Sequence, residues 1–287
     1  MSKANDLLRA GELRAAIDEV TREVKANPMN AGARTFLFEL LSFAGEFDRA
    51  EKQLEAIGHS DVKTELGTMV YRNNLKSERE RRKLFQEGVN PSFLTEPPEY
   101  IDWHIAAINY WRIGKLEEAR ELLDRAEEAR PAFKGNADGR DFADFRDYDD
   151  FVAPVFELIV KDQYVWLPIE QVRSIEITKP KHLRDLLWTA VRVESLDGTI
   201  GEVYIHSLYS GSSDHAEDQV KLGRKTDWQE VAGGFYRASG LRTYLVDDED
   251  KPLFEFNLIE FDHPDSETPN GESDNSPETS STEPEAN

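Results

Sequence analysis

Apolar residues recur every three or four positions through residues 1–134, the spacing of helices that bury one face. LLRAGELRAAIDEV near the start, FLFELLSFAGEFDRAEKQLE at 36–55 and YIDWHIAAINYWRIGKLEEARELLDRAEEARP at 100–131 all show it. Each run is broken once by a glycine, at Gly11, Gly45 and Gly114, with an alanine five residues on, at Ala16, Ala50 and Ala119. Gly11 precedes Pro28, and Gly114 precedes Pro131, by the same 17 residues. Gly11 and Gly45 are 34 residues apart, and Gly45 and Gly114 are 69 apart, about two further periods. A 34-residue helix-turn-helix period is that of tetratricopeptide repeats. The glycine permits the turn, the alanine permits close approach of paired helices, and the proline ends the second helix.

The last unit fits best, with Trp103, Ala106, Ala107, Tyr110, Gly114, Ala119, Leu123, Ala126 and Pro131 where that repeat wants large, small or helix-ending residues. Residues 69–88, MVYRNNLKSERERRKLFQEG, are helical in composition but lack a glycine turn. Residues 1–134 therefore read as three or four helical hairpins, with an irregular bundle as the alternative. Repeat arrays bind peptides or helices along their concave face. In the last unit Ile101, His104, Ile108 and Trp111 would face that groove; the alternative is that Ile108 and Trp111 pack against whatever follows.

After residue 135 the period changes. DDFVAPVFELIV, 149–160, has helical spacing, with Asp149 and Asp150 placed to start a helix. β-rich runs follow: YVWLP (164–168), VRSIEIT (172–178), LLWTAVRVES (186–195), IGEVYIH (200–206), LRTYLV (241–246) and LFEFNLI (253–259). Asp197-Gly198, Gly233-Gly234 and DDEDKP mark turns between them. The pattern predicts an α+β protein: tetratricopeptide-like repeats over 1–134, a β-rich α+β domain over 135–261, and a disordered acidic tail over 262–287.

Charge and composition narrow the function. The 287-residue chain is 39% hydrophobic, enough for a sizeable core, and carries a net charge of −22, which argues against nucleic-acid or anionic-membrane partners. Residues 262–287 hold eight Asp or Glu and no Lys or Arg. The lack of cysteine excludes disulfides and thiolate chemistry. The N-terminus has no apolar signal region, and no run approaches a membrane span, so a cytoplasmic location is expected.

Catalytic signatures are sparse. There is no dinucleotide or phosphate-loop glycine pattern, no H-E-x-x-H and no G-x-S-x-G. Two segments offer residue types for chemistry. The loop 206–228 contains His206, Ser212, Ser213, Asp214 and His215, the ingredients of a serine hydrolase; the plainer reading is a solvated connection ending in a short helix. GNADGRDFADFRDYDDFVAPVFE, 135–157, carries Asp138, Asp141, Asp144, Asp147, Asp149 and Asp150, which suggests a metal cradle, but it lacks calcium-loop spacing. Phe142, Phe145, Tyr148 and Phe151 also recur at threes. The favoured reading is a structural joint with aromatics inside and acids outside.

The order of these segments resembles the ImpE family, the SciE-type virulence proteins also known as TagJ, over roughly residues 4–261. The carrying pieces include the two N-terminal runs, EPPEY (96–100), the D-G-x-x-F run from Asp138, YVWLPIEQVRSIEI (164–177), LRDLLWTAVRVE (183–194), and Tyr209-x-Gly211 through Arg224-x-Thr226-x-Trp228. The resemblance implies an adaptor of bacterial type VI secretion rather than an enzyme, with no cofactor and no metal. It implies binding to the N-terminal helix of the small sheath subunit, TssB, and a link to ClpV-driven sheath disassembly. The family brings no agreed catalytic residues, and the acidic tail departs from its pattern.

Overall fold

Three helical hairpins and one long helix make up the N-terminal part of the computed structural model, which describes residues 3–58, 62–198, 200–231 and 234–263. The hairpins pair α1 (Lys3–Ala10) with α2 (Leu13–Ala26), α3 (Ala31–Phe43) with α4 (Phe47–Gly58), and α6 (Glu99–Arg112) with α7 (Leu116–Ala129). Their turns share one chemistry. Gly11, Gly45 and Gly114 have φ of +82°, +68° and +77°, the left-handed region that glycine enters without penalty. In each, the glycine N–H bonds three residues back and the next N–H bonds five back: Gly11 to Leu8 and Glu12 to Leu7, Gly45 to Ser42 and Glu46 to Leu41, Gly114 to Trp111 and Lys115 to Tyr110. This is the helix-ending motif that satisfies the last carbonyls. Ala16, Ala50 and Ala119 are fully buried where the paired helices touch. The degenerate period is one 26-residue helix, α5 (Val62–Glu87), so the hairpins number three among the described residues.

The chain switches to strands at Gly135. β1 (Gly135–Ala137), β2 (Arg140–Phe142), β4 (Val155–Val160), β5 (Gln163–Pro168), β6 (Val172–Ile177), β7 (Trp188–Ser195), β8 (Ile200–His206) and β13 (Leu258–Phe261) form an eight-stranded antiparallel sheet, in the order β2-β1-β13-β6-β7-β8-β4-β5. β3 (Phe145–Asp147), β11 (Thr243–Val246) and β12 (Glu249–Pro252) make a small second sheet. β9 (Asp227–Val231) and β10 (Phe235–Ser239) form a hairpin, and a short helix α8 (Asp218–Lys221) lies in the connection before it. The architecture is α+β, as the pattern predicts.

Two local expectations are corrected. Residues 149–160 do not form a helix: Asp149 and Asp150 lie in a turn, and VFELIV is strand β4. A short apolar run reads alike as strand or helix by spacing, and here burial against neighbours on both faces decides for the strand. The LFEFNLI run becomes a 3-10 turn at Leu253–Glu255 followed by β13. The expected tail begins at residue 262; Asp262 and His263 are described, and 264–287 lie outside the described residues.

Two apolar clusters cross from helices to sheet. In one, the first two hairpins pack with Leu75 of α5 onto Ile159, Leu187, Trp188 and Leu208. The Trp188 ring lies 6.1 Å from Phe38 and 6.4 Å from Tyr71. In the other, α6 and α7 cover Phe151, Phe156, Trp166 and Phe235. Helix α5 supplies Leu75 to the first cluster and Leu84 to the second.

Candidate functional site

The polar groups least expected from composition lie where α5 packs on β4 and β5. Glu157 of β4 is 1% exposed inside an otherwise apolar strand. Arg81 of α5 reaches it with two nitrogens, at 2.9 and 2.7 Å, and gives a third bond of 2.8 Å to the Leu208 carbonyl. Arg242 donates to Glu157 and to Asp147 of β3, and its Nε bonds the His206 carbonyl at 3.0 Å. The Tyr164 hydroxyl also donates to Glu157. Tyr209 donates to Asp147 at 2.8 Å. Two guanidiniums and two carboxylates thus sit in the interior with their polar atoms matched, the condition under which buried charge is tolerable. Burial opposes ionisation of Glu157, but Arg81 and Arg242 outweigh it and hold the carboxyl well below its ordinary range. Burial pushes Asp147 the other way, up to about 7, with Arg242 opposing it.

Beside this network is a chain of catalytic residue types. Ser77 Oγ lies 3.1 Å from His206 Nε2, and His206 Nδ1 lies 2.9 Å from Glu78 Oε1, which also accepts the Trp188 N–H at 3.1 Å. The types and order match a nucleophile, a base and its orienting acid. Ser77 and His206 are both fully buried, however. A cavity of about 30 Å³ beside them, room for one water, is lined by residues that include Glu78, Arg81, Trp188 and Tyr209 but neither Ser77 nor His206. Burial, with Arg81 nearby, lowers the His206 pKa against the pull of Glu78. What this geometry does is fix α5 on the sheet through the Glu78–His206–Trp188 bonds.

The hydrolase ingredients of the 206–215 loop are not brought together. His206 is taken by Ser77 and Glu78. Ser212 donates to the Tyr209 carbonyl at 2.6 Å and accepts the Gly240 N–H at 2.8 Å. Ser213 accepts from Arg82 at 2.7 Å, and His215 faces Asp227 at 3.2 Å.

The aspartates of 138–150 diverge to separate partners. Asp138 accepts the Asn257 and Leu258 N–H groups, at 3.1 and 2.9 Å. Asp141 accepts from Asn136. Asp144 takes two nitrogens of Arg130, at 2.8 and 2.6 Å, and the Phe133 N–H. Asp149 takes Arg237 at 2.9 Å, and Asp150 accepts from Arg146 and from the Tyr236 N–H. Among the described residues no three His, Asp or Glu side chains are grouped to hold a metal. The aromatics behave as expected for a joint: Phe142, Phe145 and Phe151 are buried. The acids do not all face water, because Asp147 and Asp149 are buried on arginines.

The groove reading of the last repeat is corrected. Ile101 and Ile108 are fully buried, and Trp111 packs its ring 5.4 Å from Phe151 and beneath the Arg237 guanidinium at 4.8 Å. The apolar surplus of α6 is the helical half of an intramolecular core. His104 is 2% exposed and borders a cavity of about 100 Å³ with Arg120, Glu127, Arg146 and Asp150. Neither of its ring nitrogens makes a hydrogen bond of ordinary geometry among the described residues. Burial, helped by Arg146, pushes its pKa down to about 3. A folded-state value below the unfolded 6.5 means that neutral His104 is tolerated above pH 6.5 and stability is lost as the pH falls toward 3. At pH 5 this amounts to about 2 kcal/mol. His104→Leu is therefore expected to narrow the stability difference between pH 7 and pH 5 by about that amount. Urea unfolding of both proteins at the two pH values checks it, and an unchanged difference would contradict the assignment.

The sequence carried one overlooked signal for the buried network. A lone glutamate within VFELIV requires a counter-charge if the run is buried, but nothing in the sequence identified Arg81 and Arg242, 76 and 85 residues away.

Comparison with known proteins places this architecture. The chain is 32% identical over 259 residues to the type VI secretion system accessory component TagJ of Pseudomonas aeruginosa, covering 90% of this chain and 91% of that protein. The chain belongs to the ImpE family. The family profile described as ImpE protein matches residues 139–260, the sheet region of this ImpE-family chain. The X-ray crystal structure of protein VPA1032 from Vibrio parahaemolyticus is similar to it, with a TM-score of 0.85 at 25% identity, covering 91% of this chain and 98% of that one. In the ImpE-family chain the matched region includes Asp147, Glu157 and Arg242, while Arg81 comes from the helical part.

Proposed function

We propose that this protein is a non-enzymatic adaptor of bacterial type VI secretion, working in the cytoplasm. Its partner is the small sheath subunit, TssB, held through an amphipathic N-terminal helix, and its effect is on sheath assembly or ClpV-driven disassembly. The observation that carries the reading is the relationship over nine-tenths of the chain to a protein named as an accessory component of that system. Two structural facts support it. The residues offering hydrolase chemistry are dispersed or fully enclosed, and no described helix is long and apolar enough to cross a membrane.

The test is co-purification of tagged full-length protein from a strain with an active type VI system, followed by reconstitution with purified small sheath subunit. The expected result is a direct complex that a sheath subunit lacking its N-terminal helix does not form. A reconstituted mixture that stays apart would overturn the reading.

A further inference from the structure

The hairpin of β9 and β10 has two faces, because side chains alternate along a strand and directly paired residues share a side. On one face Arg237 is enclosed. Its guanidinium lies 4.8 Å from the ring centres of Phe85 and Trp111 and 5.1 Å from that of Phe151, and its Nε bonds Asp149 at 2.9 Å. Aromatic faces and one carboxylate thus hold a cation inside the protein.

The opposite face carries the same ingredients at the surface. The pairings of Tyr236 with Glu230 and of Ala238 with Trp228 put Trp228, Glu230 and Tyr236 on one side. Tyr148 lays its ring 4.1 Å from that of Trp228. Two residues on, Asp150 is tied to Tyr236 in both directions: its N–H donates to the Tyr236 carbonyl, and its carboxylate accepts the Tyr236 N–H. Leu245 pairs with Arg146 on one side and Asp250 on the other, which brings Asp250 into the same row. After burial, Asp250 is the strongest influence raising the pKa of the Tyr148 hydroxyl. Tyr236 is 43% exposed, and Glu230 and Asp250 are exposed. Among the described residues no Lys or Arg lies over these three rings, and neither Glu230 nor Asp250 has an ion-pair partner. Arg146, in the same row, is already held by Asp150 and lies 3.7 Å from Glu127.

We propose that Tyr148, Trp228 and Tyr236, with Glu230 and Asp250, form a surface site for an arginine side chain of a protein partner. The negative faces of the rings and two uncompensated carboxylates attract a cation. An apolar or acidic partner would instead cover those carboxylates without pairing them, at a desolvation cost. A guanidinium suits the site better than an ammonium, because it is planar, stacks on a ring and donates in a fork to one carboxylate. The site goes beyond the adaptor reading and stands whichever protein brings the arginine.

Two labelled glycine-serine peptides test it, one carrying two arginines and the other citrulline, the neutral and nearly isosteric residue, at the same positions. Fluorescence anisotropy on the full-length protein reads their binding. The arginine peptide should bind roughly tenfold more tightly than the citrulline peptide. Tyr236→Ala leaves the net charge at −22 and should weaken the arginine peptide roughly fivefold or more, with an unchanged circular dichroism spectrum. Tyr236→Leu keeps the apolar bulk and should show the same loss; it stands in if the alanine variant does not fold. Asp250→Asn should weaken binding by a similar factor. Asp248→Asn, the same change of charge in the turn between β11 and β12, should stay within about twofold. Equal binding of the two peptides overturns the proposal. So does undiminished binding by the Tyr236 variants, since plain attraction to an acidic surface needs no ring. Equal losses from the two aspartate changes overturn the part assigned to Asp250.

Discussion

Glu157→Ala is expected to lower the unfolding free energy by about 3–5 kcal/mol, a large part of the roughly 5–15 kcal/mol that holds a typical domain together. The reason is what it leaves behind. Arg81 and Arg242 both lean on this carboxylate from opposite elements, and both are essentially unexposed. Without Glu157, two guanidiniums remain in the interior beside each other, with Asp147 as the remaining carboxylate on Arg242. Loss of charge rather than loss of volume is the cause, so Glu157→Gln should cost nearly as much as Glu157→Ala. Chemical denaturation of the three proteins at pH 7 checks this; a Gln variant within about 1 kcal/mol of wild type would show that the hydrogen bonds, not the charge, carry the effect. The pH dependence has a defined sign. The folded-state pKa of Glu157 is depressed, so its contribution is present above the unfolded value of 4.5 and disappears as the pH falls through the folded value. The Gln variant should lack that part of the acid sensitivity.

Phe145→Ala is expected to cost about 3–5 kcal/mol as well, by a cavity mechanism. The ring is fully buried, stacked 4.8 Å from Tyr244, with Phe142 at 5.7 Å and Phe261 at 5.4 Å. It joins the small sheet to the large one, so the void cannot close by moving one side chain. Tyr148→Ala should cost less, because that ring is half-buried and packs on Trp228 at 4.1 Å at the edge. Asp141→Asn should stay within about 0.5 kcal/mol, being exposed. Asp144→Asn should fall between these, since Asp144 receives both Arg130 and the Phe133 N–H. Thermal unfolding of the four variants orders them. An Asp141 effect equal to that of Phe145 would restore a ligand-binding role for the aspartate run.

The repeat was legible because it is local. A glycine turn, the alanine five residues later and the proline seventeen later all act within one hairpin. The strands 164–168, 172–178, 186–195 and 200–206 were legible for the same reason, as runs of β-formers bounded by turn residues. β1, β2, β3 and β12 were not. Each spans only three or four residues, and their strand state comes from pairing with distant partners, as Gly135 pairs with Phe261 and Val246 with Phe145. The two readings left open for α6 have the same origin: an apolar helix face is identical in sequence whether it awaits a partner or meets its own chain.

Residue order alone therefore determined the helical array, its turns, the longer strands between residues 163 and 206 and the family, because propensity, periodicity and motif spacing are short-range properties. Tertiary structure decided which apolar faces were already filled, sent the aspartates of 138–150 to six different destinations, and gathered Arg81, Asp147, Glu157 and Arg242 into one buried network. Charge pairing across 76 to 95 residues depends on where the chain returns, and only the packed sheet and helices fix that.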